Sequence, residues 1–285
     1  MTTATWAAPR WAKSFYAKFP LVMYEQDDEL EWKLKARELG DQACVLWIHP
    51  PSATPHAHHR PHFSSNPDSL RTQLLFTLRY ATAQPNVHFK PWPVESSAPG
   101  GVLPALHVIS EEKLVERDEI RAWLEGNYPL RDGNKEWQGF PTQEAYDKAL
   151  AFSSLILTHL LPAYLACLPR SPPNYHLHFS VPPPLYAGLT TPLPASLTGD
   201  RRQIDTDAVV KKGAEALRAA NGLVKSGWAL GAKRPTSLDA LVTSHLYVIY
   251  ALPENTVLRD EIERLPGLGQ YVDRVLDFAD STRLE

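Results

Sequence analysis

The spacing of hydrophobic residues changes character about half-way along the chain. In the first half, short apolar runs rich in β-branched and aromatic residues predict strands, and these lie at Cys44–His49, Asn86–Trp92, Val102–Ile109 and Lys113–Val115. Apolar residues at helical spacing predict helices over Ser69–Ala83 and Arg117–Gly126. The resulting order is β-α-β followed by β-β-α, which is typical of an α/β unit with a mixed sheet.

Pro104 interrupts the third predicted strand, and proline lacks the N–H that a central strand donates. Two interpretations of this position stay open. Either Val102–Ile109 is an edge strand, or Pro104 forms a cis peptide bond where the strand begins.

From about Pro141 onward the pattern becomes helical and strand signals are sparse. Apolar residues recur at helical spacing in Glu144–Leu168, Thr206–Leu223, Ser237–Leu252 and Tyr271–Phe278. A proline-rich arm, residues 169–194, interrupts them, because proline fixes φ and removes a backbone donor. We therefore predict an N-terminal extension over 1–40, a thioredoxin-like domain over 41–135, and an all-α domain over 136–285 that carries the arm.

The most distinctive of these helices lies in the sequence RPTSLDALVTSHLYVIYAL, from Arg234 to Leu252. Thr236 is a suitable N-cap, and Asp239 follows three residues later, where its carboxylate can reach back to the N–H of Thr236. This pair predicts a capping box. The residues that follow are apolar nearly all round, which is typical of a helix inside a core. In such a helix His245 is more often a hydrogen-bonded core histidine than a ligand.

One segment, Ala149–Leu168, has the length of a membrane span and contains no Asp, Glu, Lys or Arg. It also contains His159 and Pro162, and both residues are costly in lipid. The sequence therefore favours a buried core helix over a membrane span.

The amino-acid composition excludes several classes of protein, including wholly disordered chains. The chain has 285 residues, of which 44% are hydrophobic and 21% charged, so it can fill a core and is not disordered throughout. The formal net charge of −3 argues against a nucleic-acid partner. The first residues lack the apolar run of a secretory signal. Cys44 and Cys167 lie in apolar surroundings and predict reduced core thiols.

Two segments are candidates for contact with a partner or a membrane. Arg10–Phe19 has the aromatic and basic pattern of a short interfacial helix, with packing on its own domain as the alternative. In the proline-rich arm aromatic residues alternate with prolines, and such rigid segments bind partners at low entropic cost, with an inert loop as the alternative. The candidate contact residues are Arg10, Trp11, Lys13, Phe15, Lys18, Tyr175, Phe179 and Tyr186.

Histidines crowd the segment after the first strand, and imidazole is a common metal ligand. They are His49, His56, His58, His59 and His62. A zinc site needs about four convergent ligands held by surrounding groups. This proline-rich segment supplies neither carboxylates nor rigidity, so we predict a solvated insertion and no metal.

A thioredoxin-like domain followed by an all-α domain, with a capping box before a buried helix, resembles the glutathione-transferase fold. Within it, PTSLDALVTSHLY, Pro235–Tyr247, resembles the C-terminal signature of the metaxin family. GGVLPALHVISEEKLVERDEI, Gly100–Ile120, is similar to the metaxin region around a cis-proline, which Pro104 matches. FPLVMY, Phe19–Tyr24, resembles the start of the fungal members, subunit thirty-five of the mitochondrial sorting and assembly machinery.

The resemblance implies a peripheral subunit on the cytosolic face of the mitochondrial outer membrane, with no enzyme activity and no cofactor. Such a subunit caps the barrel-forming core subunit of the machinery, beside a second metaxin-like subunit. It assists β-signal handling and the folding and insertion of β-barrel precursor proteins.

Glutathione-transferase chemistry needs a hydroxyl or thiol just after the first strand, and a Ser or Thr after an acidic residue to hold glutathione. Ser52 lies among prolines, and Ser64 and Ser65 lie far along the loop. At the second position Glu116 is followed by Arg117, so the hydroxyl is missing. We therefore expect a kept fold and a lost cofactor site, with a cytosolic glutathione-transferase-like enzyme as the alternative.

Overall fold

The computed structural model describes residues 38–40, 43–52, 55–79, 85–130, 137–169, 205–224 and 227–283. The chain divides into two compact units, Met1–Asp41 and Gln42–Glu285, and every element named below belongs to the second. The predicted domain boundaries at 40/41 and 135/136 stay predictions. So do the roles of eight candidate contact residues that lie outside the described residues: Arg10, Trp11, Lys13, Phe15, Lys18, Tyr175, Phe179 and Tyr186.

A four-stranded mixed sheet forms the centre of the first half. Its strands are β1 (Cys44–Ile48), β2 (Val87–Pro91), β3 (Ala105–Val108) and β4 (Lys113–Val115). They lie in the order β2-β1-β3-β4, with β1 parallel to β2 and the other neighbours antiparallel. This is the thioredoxin-like arrangement that the order of strands and helices predicts.

Two helices pack on this sheet: α1 (Pro67–Thr77) follows β1, and α2 (Arg117–Asn127) follows β4. The start of α1 is two residues earlier than predicted, because the side chain of Asn66 caps the first turn and Pro67 occupies the first helical position. Helices and sheet share one buried cluster, made of Cys44, Leu46, Ile48, Phe76, Leu106, Val108, Val115, Ile120 and Leu124.

The peptide bond between Leu103 and Pro104 is cis and stands immediately before β3. β3 is an interior strand, paired with both β1 and β4. The edge-strand interpretation of Pro104 is therefore wrong, and the cis interpretation is confirmed. Because Pro104 precedes the first paired residue, Ala105, its missing N–H removes no bond from the sheet.

The second half is helical in the parts that the structure describes. Its helices are α3 (Gln143–Leu155), α4 (Leu161–Cys167), α5 (Thr206–Leu223), α6 (Ser237–Tyr250), α7 (Val257–Glu263) and α8 (Pro266–Arg283). The sequence predicts all of them except α7. Its seven residues lie between Pro253 and Pro266, and so short a segment does not reveal a helical period.

α6 runs through the centre of the largest hydrophobic cluster and packs against α1, α7 and α8. Of its 14 residues only Ser237 is not buried. Since α1 belongs to the sheet half and α7 and α8 to the helical half, α6 joins the two halves of the fold.

A short π-helix, Ile156–Leu160, joins α3 and α4 into one continuous helix, Gln143–Cys167. This helix has the length and hydropathy of a membrane span. The sequence predicts that this helix is buried in the core. The structure corrects this: 28% of its 18-residue apolar window is buried, while Leu150 and Leu157 are exposed. One face, including Ile156 and Leu160, packs into the core. Core helices of soluble proteins can have the same length and composition, so these two properties are weak evidence for a membrane span.

Candidate functional site

Three polar side chains meet beside the end of β1, at the first turn of α1. His49, the first residue after β1, donates its backbone N–H to Ser69 Oγ at 3.2 Å. Its ring Nδ1 lies 2.9 Å from the same oxygen, and its Nε2 lies 3.5 Å from Glu95 Oε1. Ser69, His49 and Glu95 therefore form a hydroxyl–imidazole–carboxylate series across the C-terminal end of β1.

Ser69 is the polar residue that the sequence reasoning missed. It follows His49 by 20 positions and lies inside the segment predicted as a helix, so only its place in the first helical turn hints at its role. A hydroxyl, an imidazole and a carboxylate in series can move a proton to and from the hydroxyl. Ser69 is fully buried, however, so this hydroxyl is closed to solvent in the structure.

Two of the three hydroxyls considered from the sequence, those of Ser64 and Ser65, shape the segment before α1. Ser64 Oγ accepts the backbone N–H of Asn66 at 3.2 Å. Ser65 donates its hydroxyl to the carbonyl of Pro50 at 2.8 Å. The first contact is local and the second spans 15 positions, and together they hold the chain in the turn that leads into α1.

Charged groups occupy the position after β4 where the glutathione-transferase plan has a hydroxyl. Arg117 lies between two carboxylates, with Nη1 3.5 Å from Asp68 Oδ2 and Nε 3.1 Å from Asp118 Oδ1. The Glu116 carboxylate lies beside Gly100, since a Cβ placed on this glycine would be 3.6 Å from Glu116 Oε2. Arg117 therefore ties the start of α2 to the first turn of α1.

The histidine-rich segment is docked on the last helix, so the prediction of a solvated insertion is wrong. His58 Nδ1 lies 2.9 Å from Asp273 Oδ1, and Arg60 Nη2 donates to Asp277 Oδ1 at 2.9 Å. His62 Nε2 lies 2.5 Å from Asp280 Oδ1. The three aspartates recur every three or four residues along α8, so they share one face of that helix.

Aromatic contacts hold the same segment against α6. The ring of His56 meets Tyr247 edge-on at 4.7 Å between centroids, and the ring of His58 meets Tyr250 at 4.3 Å. The Tyr247 hydroxyl accepts the backbone N–H of Arg60 at 3.2 Å. These contacts explain the error, because the partners lie almost two hundred residues away in the sequence.

Burial, together with the positive charge that nearby His59, His58 and Arg259 can carry, lowers the pKa of His56 to about 4. His56 is therefore neutral at pH 7. Within the residues that the structure describes, no group of three or more His, Cys, Asp or Glu side chains is arranged to hold a metal ion.

The capping-box carboxylate, Asp239, is fully buried and accepts several hydrogen bonds. It accepts the backbone N–H and the hydroxyl of Thr236, each at 2.7 Å, and the backbone N–H of Ala229 at 2.9 Å. Tyr271 on α8 donates its hydroxyl at 2.7 Å. Burial and the Asp239 carboxylate raise the pKa of Tyr271 well above its usual range, so this hydroxyl stays a donor. Asp239 thus ties three segments of the helical half together.

His245 is buried in the middle of α6. Its Nδ1 lies 2.8 Å from the carbonyl of Leu241, which identifies Nδ1 as the protonated nitrogen. Burial lowers the pKa of the imidazole, partly opposed by that hydrogen bond. The side chain is a core histidine with a local partner.

Comparison with known proteins identifies the fold. Residues 213–275, less than half of the chain, match the family described as glutathione S-transferase, C-terminal domain. No curated protein sequence matches the chain.

Solved structures are similar over most of the length. A glutathione S-transferase from Methylobacterium radiotolerans, in complex with glutathione sulfonate, shares 15% identity with a TM-score of 0.51, covering 84% of this chain and 94% of that one. A glutathione transferase from Phanerochaete chrysosporium with oxidized glutathione shares 11% identity with a TM-score of 0.47, covering 85% and 94%. The chain therefore has a glutathione-transferase-like fold, with a thioredoxin-like N-terminal domain and a helical C-terminal domain.

These structures correct one expectation. The sequence predicts a protein that is not an enzyme, and the comparison contradicts that prediction, because the solved structure that shares this fold at a TM-score of 0.51 is a glutathione transferase, which is an enzyme. At 15% identity the likeness shows the fold alone, and it assigns no reaction to this chain.

Proposed function

We propose that this chain is a peripheral subunit of the mitochondrial sorting and assembly machinery, on the cytosolic face of the outer membrane. In this role it caps the barrel-forming core subunit beside a second metaxin-like subunit, and it assists β-signal handling, folding and insertion of β-barrel precursor proteins. The observation that carries the proposal is the metaxin-like motif Pro235–Tyr247, supported by the glutathione-transferase-like fold in which it lies.

The position of this motif indicates what it can and cannot do. Its residues from Leu238 to Tyr247 are buried in α6, and its capping box fixes the start of that helix. Buried residues cannot touch a partner, so the motif supports membership of a protein class and not a contact surface. Partner contacts belong to the exposed surface and to segments outside the described residues, among them Arg10–Phe19 and the proline-rich arm.

The proposal is tested by locating the protein in cells and identifying its partners. A tagged chain at its natural level should fractionate with mitochondria, be released by alkaline carbonate, and co-purify with a β-barrel membrane protein in mild detergent. Depletion of the chain should lower the steady-state assembly of outer-membrane β-barrel proteins. A monodisperse cytosolic protein with no barrel partner would overturn the proposal.

A cytosolic glutathione-transferase-like enzyme is the second candidate, and one observation favours it. The Ser69 hydroxyl reaches the end of β1, where it contacts His49. Retention of the purified chain on glutathione resin, with turnover of a chlorodinitrobenzene-type substrate, would support this candidate. Ser69→Ala should then abolish turnover, whereas Ser153→Ala, which removes a hydroxyl bonded only within α3, should not. Neither retention nor turnover would reject it.

A further inference from the structure

An uncharged strip runs along the exposed side of the continuous helix Gln143–Cys167. It follows helical spacing from α3 through the π-helix to the first residue of α4, and its members are Leu150, Ala151, Ser154, Leu157, Thr158 and Leu161. Leu150 is 53% exposed and Leu157 is 39% exposed. The two ends of the strip are about eleven helical positions apart, which is roughly 16 Å at 1.5 Å per residue.

The strip belongs to a longer segment without strong acids or bases. From Ala149 to Leu168 the sequence contains no Asp, Glu, Lys or Arg. Charge lies at the N-terminal end of the helix, where Lys148 Nζ pairs with Glu144 Oε1 at 2.6 Å. Covering the strip with hydrocarbon therefore takes none of the costly charged side chains of this segment out of water.

Two hydroxyl groups on and beside the strip are bonded within the helix. Thr158 donates its hydroxyl to the carbonyl of Ser154 at 2.7 Å, and Ser153 donates its hydroxyl to the carbonyl of Ala149 at 2.8 Å. A polar group that leaves water costs free energy mainly when it loses its hydrogen bonds, and these two donors keep theirs. Both hydroxyls therefore tolerate an apolar covering.

The residue types on the strip match lipid better than a protein partner. Binding energy at protein interfaces is concentrated in Trp, Tyr and Arg, whereas Leu, Ser and Thr are under-represented among the residues that supply it. The strip consists of Leu, Ala, Ser and Thr alone. Leucine is among the side chains that enter hydrocarbon most favourably. An aliphatic surface without aromatic or guanidinium groups thus suits acyl chains.

The opposite side of the helix fixes how it can meet a membrane. Ile156, Leu160 and Ala163 are buried in the largest hydrophobic cluster. Gly213 of α5 packs so closely here that a Cβ on it would lie 2.2 Å from the Cβ of Ala163. A helix that crosses a bilayer would have to give up these contacts. In this fold the strip can only lie along a membrane surface, as interfacial helices do.

We propose that the uncharged strip lies against the membrane surface, with Leu150 and Leu157 among the acyl chains just below the headgroups. The inference rests on the proposed function, since that function places the chain at a membrane, and it names the surface that touches lipid. A short strip gives weak and reversible binding, because membrane affinity scales with the apolar area that is buried. The lipid contact therefore adds to the protein contacts that hold the subunit in place.

Flotation of the purified full chain with lipid vesicles tests this contact. The vesicles contain only phosphatidylcholine and phosphatidylethanolamine, and the buffer contains high salt, so that attraction between basic residues and anionic lipid does not contribute. The bound fraction should rise with lipid concentration. Leu150→Glu with Leu157→Glu should lower the partition coefficient about tenfold, because two carboxylates would have to enter hydrocarbon.

Leu114→Glu with Val257→Glu is the matched control. These residues are 52% and 58% exposed and lie outside the helix, so the variant introduces the same charge at exposed apolar positions and leaves the strip intact. Its flotation should equal that of the unchanged chain. Ser154→Trp tests the same surface by a gain, since tryptophan favours the membrane interface, and it should raise the partition coefficient about threefold. This gain replaces the loss as the deciding result if the first double variant melts early.

Three outcomes would overturn the inference: no flotation of the unchanged chain, equal flotation of the two double variants, or a dimer of the unchanged chain that Leu150→Glu with Leu157→Glu dissociates. The second, with loss of a barrel partner from the strip variant, would assign the strip to a protein contact. The third would assign it to a second copy of this chain. The vesicles contain no protein, so co-purification with a β-barrel protein remains a separate test of the proposed function.

Discussion

Buried polar side chains at single positions connect distant parts of this protein. Asp239 is the clearest case, because one carboxylate accepts hydrogen bonds from the turn at Ala229, from Thr236 and from Tyr271 on α8. Its pairing with Thr236 is local and follows from the sequence pattern. Its contact with Tyr271 spans 32 positions and exists only because α6 and α8 pack together.

Replacing Asp239 by Ala should destabilise the fold by about 3 kcal/mol or more, because buried donors are left without an acceptor. Denaturant unfolding of the purified chain measures this free energy. Tyr271→Phe is the matched control, since it removes only one of the donors and should cost about 1 kcal/mol. Equal losses in the two variants would show that Asp239 acts only through Tyr271.

His56 should make the fold sensitive to acid. Its pKa is about 4 in the folded state against an ordinary value of 6.5, so between these values the unfolded chain binds the extra proton and the folded chain does not. The free energy of unfolding therefore falls as pH drops from 6.5 to 4. His56→Phe keeps an aromatic ring beside Tyr247, and urea unfolding should show a smaller fall in that window. Parallel pH curves for the two proteins would contradict the assignment.

Packing between helices explains how the elements of the second half are placed. α5 packs so closely against α4 and the π-helix Ile156–Leu160 that a Cβ on Gly213 would lie 2.2 Å from the Cβ of Ala163. The histidine-rich segment is a second example, since it is held by α8 through three carboxylates and by α6 through two tyrosines. Surface ion pairs of this kind contribute little each, about 0–1 kcal/mol, so the tyrosine contacts carry a large share of the docking.

Gly213→Ala should destabilise the protein by about 1–3 kcal/mol, because the new methyl group has no room. Gly222→Ala lies on the same helix with no atom within 4 Å of its Cβ, and it should change stability by less than about 1 kcal/mol, towards greater stability. Thermal unfolding of both variants measures the contrast. Equal melting temperatures would show that α5 can shift away from α4 at no cost.

At the scale of the whole molecule, the proposed role requires contact with the outer membrane or its proteins. The basic residues Arg10, Lys13 and Lys18 are candidates for that contact, and they lie outside the described residues. Each cation near an anionic membrane surface contributes about 1 kcal/mol to binding. The exposed face of Gln143–Cys167, with Leu150 and Leu157, is a further apolar surface of the described part.

Reversing the charge at Arg10, Lys13 and Lys18 to Glu should weaken membrane association, seen as a larger soluble fraction after low-salt fractionation of mitochondria. Reversal at Lys148, Lys211 and Lys212 is the matched control, since these exposed residues lie on helices of the second unit and should leave fractionation unchanged. Unchanged fractionation of the first variant would reject the contact with lipid.

The sequence by itself determined the fold class, because the features that specify it are local. Short β-rich runs, helical periods and the Thr236–Asp239 capping box each need only neighbouring residues. The sequence did not predict α7, because seven residues are too few to reveal a helical period. What the tertiary structure decided depends on residues far apart: the Ser69–His49–Glu95 series and the docking of His58 on Asp273 across 215 positions. Such contacts form where packed elements bring distant side chains together, so the spacing of residues along the sequence cannot predict them.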